Sequence, residues 1–90
     1  MSYYVYMLIS YHKNKFSTYV GYTVNLDKRL NSHNNSKGAK FTRGRFWKII
    51  FKKKFTTKSI AMREEHKLKK DIKLRTSLKK RYLLKNNVKI

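Results

Sequence analysis

One run near the N-terminus limits the fold more than any other feature of the chain. Tyr3 to Ser10 reads YYVYMLIS, dense in β-formers and apolar on both alternating sets. Side chains alternate between the faces of a strand, so such a run suits an inner strand covered on both sides. Charge limits what can cover it: 24 Lys and Arg stand against 4 Asp and Glu, a formal net charge of +20 in 90 residues. A chain this short supports one core. Leu, Ile, Val and Phe still make up about a quarter of it, above the roughly 20% below which chains stay unfolded. Seven Tyr, five Phe and one Trp add large buried area from few residues. The expectation is a small folded domain built to meet a polyanion.

After the first strand, Tyr11 to Ser17 is polar and basic with a turn-favouring Asn14, and Thr18 to Thr23 (TYVGYT) again reads as extended, which predicts a hairpin. Gly21 weakens that second strand, so a close approach of another backbone or a ligand, or a bulge, is expected there. Asn25 is a good N-cap for a short helix over Leu26 to His33, with Leu26 and Leu30 one turn apart and Asp27 in the first turn. A loop follows, with Lys37, Lys40, Arg43 and Arg45 around Gly38 and Gly44. Phe46 to Phe55 (FWKIIFKKKF) predicts a third strand, with Trp47, Ile49, Phe51 and Phe55 on a core face and Lys48, Lys52 and Lys54 on a solvated one. Thr57 or Ser59 can cap a second helix whose Ala61, Leu68 and Ile72 share a stripe. After Thr76 a short packed helix with Leu78, Tyr82 and Leu83 is expected, then a frayed end. The fold class is α/β: a small, mostly antiparallel three-stranded sheet flanked by helices. Residues 1–76 are expected to form the functional domain, with 77–90 a basic C-terminal helix and tail of that domain.

The absence of cysteine excludes disulfides, Cys-based zinc sites, iron–sulfur clusters and thiol catalysis. Tyr3 to Ile9 is too short for a signal-peptide core or a membrane span, so a cytoplasmic location without membrane association is expected. The acids are Asp27, Glu64, Glu65 and Asp71 alone, too few for a two-metal nuclease or polymerase site. The three histidines are isolated in sequence, which makes a zinc site unreasonable, and His12 and His66 read as surface residues.

Phosphodiester hydrolysis needs a deprotonated water in line with the leaving oxygen, charge neutralisation at phosphorus and stabilisation of the departing oxygen. Tyrosine, arginine and one carboxylate with a divalent ion can supply these. In the second strand Tyr19 and Gly21 share a face while Val20 points away, and Tyr6 can lie beside them on the first strand. Arg29 and His33 are four apart on one helical face, where both could reach one phosphate. At about 100° per residue, Glu65 lies roughly 40° from Ala61 on the apolar stripe and Glu64 roughly 60° to the other side. An ionised group so placed is costly unless paired or bound to a cation, which singles out Glu65.

In chain order these are Tyr4-Val5-Tyr6, Tyr19-Val20-Gly21, a helix with Arg29 and His33, the run KGAKFTRGR, and SIAMREEHKLK with Glu65. This ordered set resembles the GIY-YIG nuclease family, above all its short stand-alone bacterial members, from about Tyr3 to Ile72. Tyr4 stands where the family has glycine, and Tyr22-Thr23 where the excision-repair nuclease has a lysine. The resemblance implies a DNA endonuclease with a one-metal hydrolysis. Tyr19 would activate water, Tyr6 position it, Arg29 bind the scissile phosphate, His33 occupy the family's Tyr-or-His position, and Glu65 hold Mg²⁺ or Mn²⁺. A phenol titrates near pH ~10, so a tyrosine base needs a cation beside it, and Arg29 or the metal would serve.

The DNA contacts expected are Gly21, where substrate is drawn close, and Lys37, Lys40, Arg43 and Arg45, whose concentration in one loop favours phosphates. The resemblance suggests branched or nicked DNA and a role in repair or recombination. Substrate choice would come from the domain's own loops, self-association or a partner protein. The alternative is a non-catalytic nucleic-acid-binding protein that retains the fold.

Overall fold

The computed structural model describes residues 1–86. Its elements are β1 (Tyr3–His12), β2 (Lys15–Thr23), α1 (Leu26–Asn34), a single 3₁₀ turn (Lys40–Thr42), β3 (Lys48–Phe55), α2 (Lys58–Lys70) and α3 (Ile72–Lys85). The three strands form one antiparallel sheet in the order β2-β1-β3. β1 is the inner strand its apolar pattern requires, buried without a break from Val5 to Ser10. The β1–β2 hairpin is longer than the sequence suggested and closes on Lys13 and Asn14, whose φ angles of 50° and 64° are left-handed. Two such residues make the turn whose twist matches that of paired strands.

The two faces of β1 carry two cores. Val5 and Met7, with Val20 of β2 and Phe51 and Phe55 of β3, pack against Ala61 and Leu68 of α2 and Leu78 of α3. On the other face Tyr6 and Leu8, with Trp47 and Ile49, pack against Leu26 and Leu30 of α1 and Tyr19 of β2. The sheet is thus sandwiched between α1 on one side and α2 with α3 on the other.

The expected single apolar face of β3 is corrected by a bulge. Met7 faces Phe51 while Leu8 faces Ile49, leaving Ile50 as the extra residue. The bulge shifts the alternation by one, so Trp47 and Ile49 serve the α1 core and Phe51 and Phe55 the α2 core. It also places Lys52 and Lys54 opposite Tyr6 and Tyr4, on the α1 side of the sheet.

A second correction concerns the helices. Ile72 is not on the α2 stripe: α2 stops at Asp71, whose φ of −88° and ψ of 82° are not helical and whose carboxylate caps α3 by accepting from Leu74 N. The chain turns there, leaving Ile72 exposed as the first residue of α3. The C-terminal helix therefore begins at Ile72, five residues earlier than the expected start after Thr76, and runs on through Leu78 and Leu83. The expected fraying beyond Asn86 lies outside the described residues.

Candidate active site

The site is built on the α1 face, where β1, β2 and α1 converge on one phenol oxygen. Tyr6 is fully buried on the inner strand, opposite Gly21 of β2. A Cβ at Gly21 would lie 2.5 Å from Tyr6 Oη and 2.7 Å from Cζ, so the glycine makes room for the Tyr6 ring itself. The close approach expected at Gly21 is therefore by a side chain of the neighbouring strand, and Gly21 is buried beneath it.

α1 begins as the sequence indicates, with Asn25 Oδ1 accepting from Lys28 N at 3.1 Å. Its i, i+4 pair does not point at solvent. Arg29 Nε donates to Tyr6 Oη at 3.4 Å, and His33 Nε2 lies 2.9 Å from the same oxygen. His33 is fully buried. Its expected reach to a phosphate is thus corrected to a bond within the protein.

The loop after α1 closes over that histidine. His33 Nδ1 is 2.8 Å from Thr42 Oγ1, and Thr42 Oγ1 donates to Ala39 O at 2.8 Å. A hydroxyl has one proton, and here the Ala39 carbonyl takes it, so Nδ1 must carry a proton; the low basicity of the buried ring leaves that as its single one. Nε2 then presents a lone pair, and the Tyr6 hydroxyl donates to it. Thr42 is held in turn by Trp47, whose Nε1 donates to Thr42 O at 2.9 Å. Trp47 is fixed to the end of α1: its N donates to Asn34 Oδ1 at 2.6 Å, and Asn34 Nδ2 donates to Trp47 O at 3.1 Å. Gly38 packs so closely on the imidazole that a Cβ would collide with Nδ1.

Burial pushes the Tyr6 phenol above its usual range, while the Arg29 hydrogen bond and charge work in the opposite direction. Burial, then the positive charge of Arg29, hold His33 below the ordinary 6.5. The histidine is therefore a neutral base at neutral pH, with its one proton on Nδ1. Because the unfolded chain binds this proton more readily, the contribution to stability is full above about pH 6.5 and is lost as pH falls toward the folded-state value. The melting temperature is expected to drop through that window, and His33→Gln to flatten the drop. Thermal scans from pH 7.5 to 5 check this, an unchanged slope counting against it.

Tyr19 stands beside this centre, its ring 6.5 Å from Tyr6 and 5.0 Å from His33 between centroids. Glu65 approaches from α2, close enough that its charge opposes ionisation of Tyr6. It is the more inward acid of its helix, with 14% of its side chain exposed against 34% for Glu64. Glu65 Oε1 is paired with Lys69 Nζ at 2.7 Å. Tyr6, Tyr19, Arg29, His33 and Glu65 are thus brought together. Lys37, Lys40 and Arg43 are exposed on the loop. Arg45 is turned back, donating to Ser17 Oγ at 2.7 Å with its guanidinium 5.2 Å from the Phe41 ring centre.

With this geometry in view, the sequence model of the GIY-YIG catalytic domain matches residues 2–81. The chain belongs to the GIY-YIG nuclease family. The UPF0213 protein OB0043 of Oceanobacillus iheyensis is 52% identical over 54 residues, 59% of this chain and 63% of that one. The UPF0213 protein BLi00048/BL00536 of Bacillus licheniformis is 46% identical over 68 residues, 74% and 67% of the two chains. The match thus spans less than two thirds of OB0043. The solution NMR structure of the UPF0213 protein BH0048 from Bacillus halodurans shares 38% identity over 87% of this chain and 82% of that chain, with a TM-score of 0.47.

GIY-YIG nucleases generally depend on a divalent metal. The donor set here suits one hard cation of the Mg²⁺ or Mn²⁺ kind: Glu65 offers a single carboxylate, and such ions keep several waters and share their remaining positions with phosphate. Among the described residues no three His, Cys, Asp or Glu side chains gather to hold a metal. None of their helices is long and apolar enough to cross a membrane.

Sequence reasoning missed Thr42 and Asn34, which lock the histidine and the loop, and Phe41, which stands exposed beside Tyr19. Nothing in the local sequence marks Thr42 as buried. An aromatic inside a basic loop is, by contrast, a readable signal of nucleic-acid contact.

Proposed function

We propose that this chain is a divalent-metal-dependent DNA endonuclease hydrolysing phosphodiester bonds, with Tyr6 and His33 as its proton-accepting pair. The supporting observation is the 2.9 Å contact between Tyr6 Oη and His33 Nε2, read as donation from the phenol because the Thr42–Ala39 bond puts the imidazole proton on Nδ1. The resemblance alone gave water activation to Tyr19 and positioning to Tyr6. The hydrogen bonding favours exchanging them, because Tyr6 has a base at its hydroxyl. As a water attacks phosphorus, its proton passes to Tyr6 Oη and the Tyr6 proton to His33 Nε2. The P–O3′ bond breaks, and the departing oxygen is reprotonated from solvent. Buried Tyr6 is a neutral phenol at rest, so the transfer belongs to the transition state. Arg29 uses Nε on Tyr6, and its two Nη groups are those a phosphate would meet. Tyr19 orients the water or phosphate from the neighbouring strand. Glu65 would hold Mg²⁺ or Mn²⁺, which supplies neutralisation of the charge developing on the phosphate oxygens.

The test is incubation of the purified protein with branched, nicked and linear DNA, with Mg²⁺, with Mn²⁺ and with a chelator. Metal-dependent cleavage supports the reading. The second reading, a non-catalytic nucleic-acid-binding protein, is favoured by the Glu65–Lys69 pair, which occupies one carboxylate oxygen; binding without cleavage in every arm would establish it. Branched or nicked substrates would go with a cytoplasmic repair or recombination role, and with selection by the loops, by self-association or by a partner protein.

Neutralising Lys37, Lys40, Arg43 and Arg45 together is expected to weaken binding to all DNA sequences alike. Each lost phosphate contact lowers the slope of log affinity against log salt by about 0.9 on duplex. An unchanged slope in a salt titration would move the binding surface elsewhere, first to Lys52 and Lys54.

A further inference from the structure

Phe41 packs beside Tyr19, Trp47 and Arg45 yet keeps much of its ring in solvent. It sits in the 3₁₀ turn Lys40–Thr42 and is 54% exposed. The turn is rigidly held, since the next residue, Thr42, is fully buried and bonded to His33, Ala39 and Trp47. The exposed ring therefore has a fixed place. It lies nearly parallel to Tyr19, with 19° between planes and centroids 6.4 Å apart, and Arg45 packs its guanidinium over it at 5.2 Å. Lys40 and Arg43, both exposed, flank it in sequence. An apolar plane edged by cations and set beside a phosphate-cutting centre has the chemistry of a base-stacking platform.

We propose that Phe41, with Arg45 and Tyr19, stacks an unpaired nucleobase adjacent to the scissile phosphate, so that the substrate class is DNA with a single-stranded element at the cleavage point. The proposal rests on the nuclease reading above and names its substrate. The reason for an unpaired base is geometric. A base inside a continuous duplex has both faces covered by its neighbours, and Phe41 can reach a face only where stacking is broken, as at a flap, a gap or a junction. Lys40 and Arg43 would hold the flanking phosphates and carry no preference of their own.

The experiment measures binding in chelator, where nothing is cut. Probes are a single strand, a flap and a continuous duplex, each carrying 2-aminopurine, whose fluorescence falls on stacking. Wild type is expected to prefer the first two and to quench them. Phe41→Ala and Phe41→Leu are expected to lose about five- to a hundredfold in affinity for those probes, together with the quench, with less than twofold change on duplex. Phe41→Tyr, which keeps the ring, is expected to retain both. Equal losses on all three probes, or no loss on any, would overturn the platform. The catalytic reading fails separately: a Phe41-dependent preference in a protein that cuts none of these probes in Mg²⁺ or Mn²⁺ supports the platform and removes the nuclease.

Discussion

Tyr6→Phe is expected to lower the cleavage rate by about 10²–10⁴, the usual worth of a positioned general base, while leaving the fold and DNA binding in place. The substitution removes one oxygen. That oxygen accepts from Arg29 and donates to His33, so its loss disconnects the water from the only buried base in the site. Phenylalanine keeps the ring that fills the space over Gly21 and packs with Leu8 and Trp47. His33 Nε2 would lose its partner, which costs about 1–3 kcal/mol for a buried acceptor, so the melting temperature should fall modestly and single-turnover rates are the measurement to trust. Tyr19→Phe is the control that decides the roles. If Tyr19→Phe is inactive and Tyr6→Phe is not, the order implied by the resemblance stands and the hydrogen bond to His33 is structural. The pH profile gives an independent reading. Activity through Tyr6 requires neutral His33, whose titration lies below 6.5, so the acid limb of the rate should fall there and vanish in His33→Gln.

Much of this arrangement was legible before the structure, and the parts that were not share a physical reason. The inner strand follows from apolar residues on both faces of Tyr3–Ser10, and α1 from Asn25 and the Leu26/Leu30 spacing, because each signal is local. The i, i+4 spacing put Arg29 and His33 on one face, but not what that face would meet. That depends on Gly21 admitting the Tyr6 ring from another strand. The bulge at Ile50 is a register event between strands, and the sequence FWKIIFKKKF gives the alternation without the slip. At Asp71 the local signal existed: an acid preceding Ile72-Lys73-Leu74 is an N-cap, but the Leu68/Ile72 spacing also continues α2. Capping prevailed because Ile72 gains nothing by continuing the α2 stripe, and the turn returns Leu78 and Leu83 to the protein interior. Thr42 is the clearest limit. Its importance lies in accepting from His33 and donating to Ala39, and neither partner is visible in a polar, basic loop.

Glu65→Gln should abolish cleavage at every Mg²⁺ or Mn²⁺ concentration while DNA binding stays within a few-fold. The substitution is nearly isosteric and removes one negative charge from a protein of net charge +20, so attraction to the DNA backbone is, if anything, strengthened. What disappears is the one carboxylate near Tyr6 and Tyr19. In the free protein that carboxylate is partnered by Lys69 at 2.7 Å, and the surrounding positive charge repels cations. Free protein is therefore expected to bind divalent ions very weakly. Bound DNA changes the balance by supplying phosphate oxygens as ligands and negative charge. Apparent Mn²⁺ affinity should rise in a complex with uncleavable DNA, and by linkage Mn²⁺ should tighten that complex by the same factor beyond the screening any salt produces. In Glu65→Gln both effects should be lost together, and in Glu64→Gln neither. Calorimetric titrations of Mn²⁺ at matched ionic strength, with and without DNA, measure both. Retained cleavage in Glu65→Gln with loss in Glu64→Gln would transfer the role to the more exposed acid, while equal Mn²⁺ affinity with and without DNA would mean that protein ligands alone form the site.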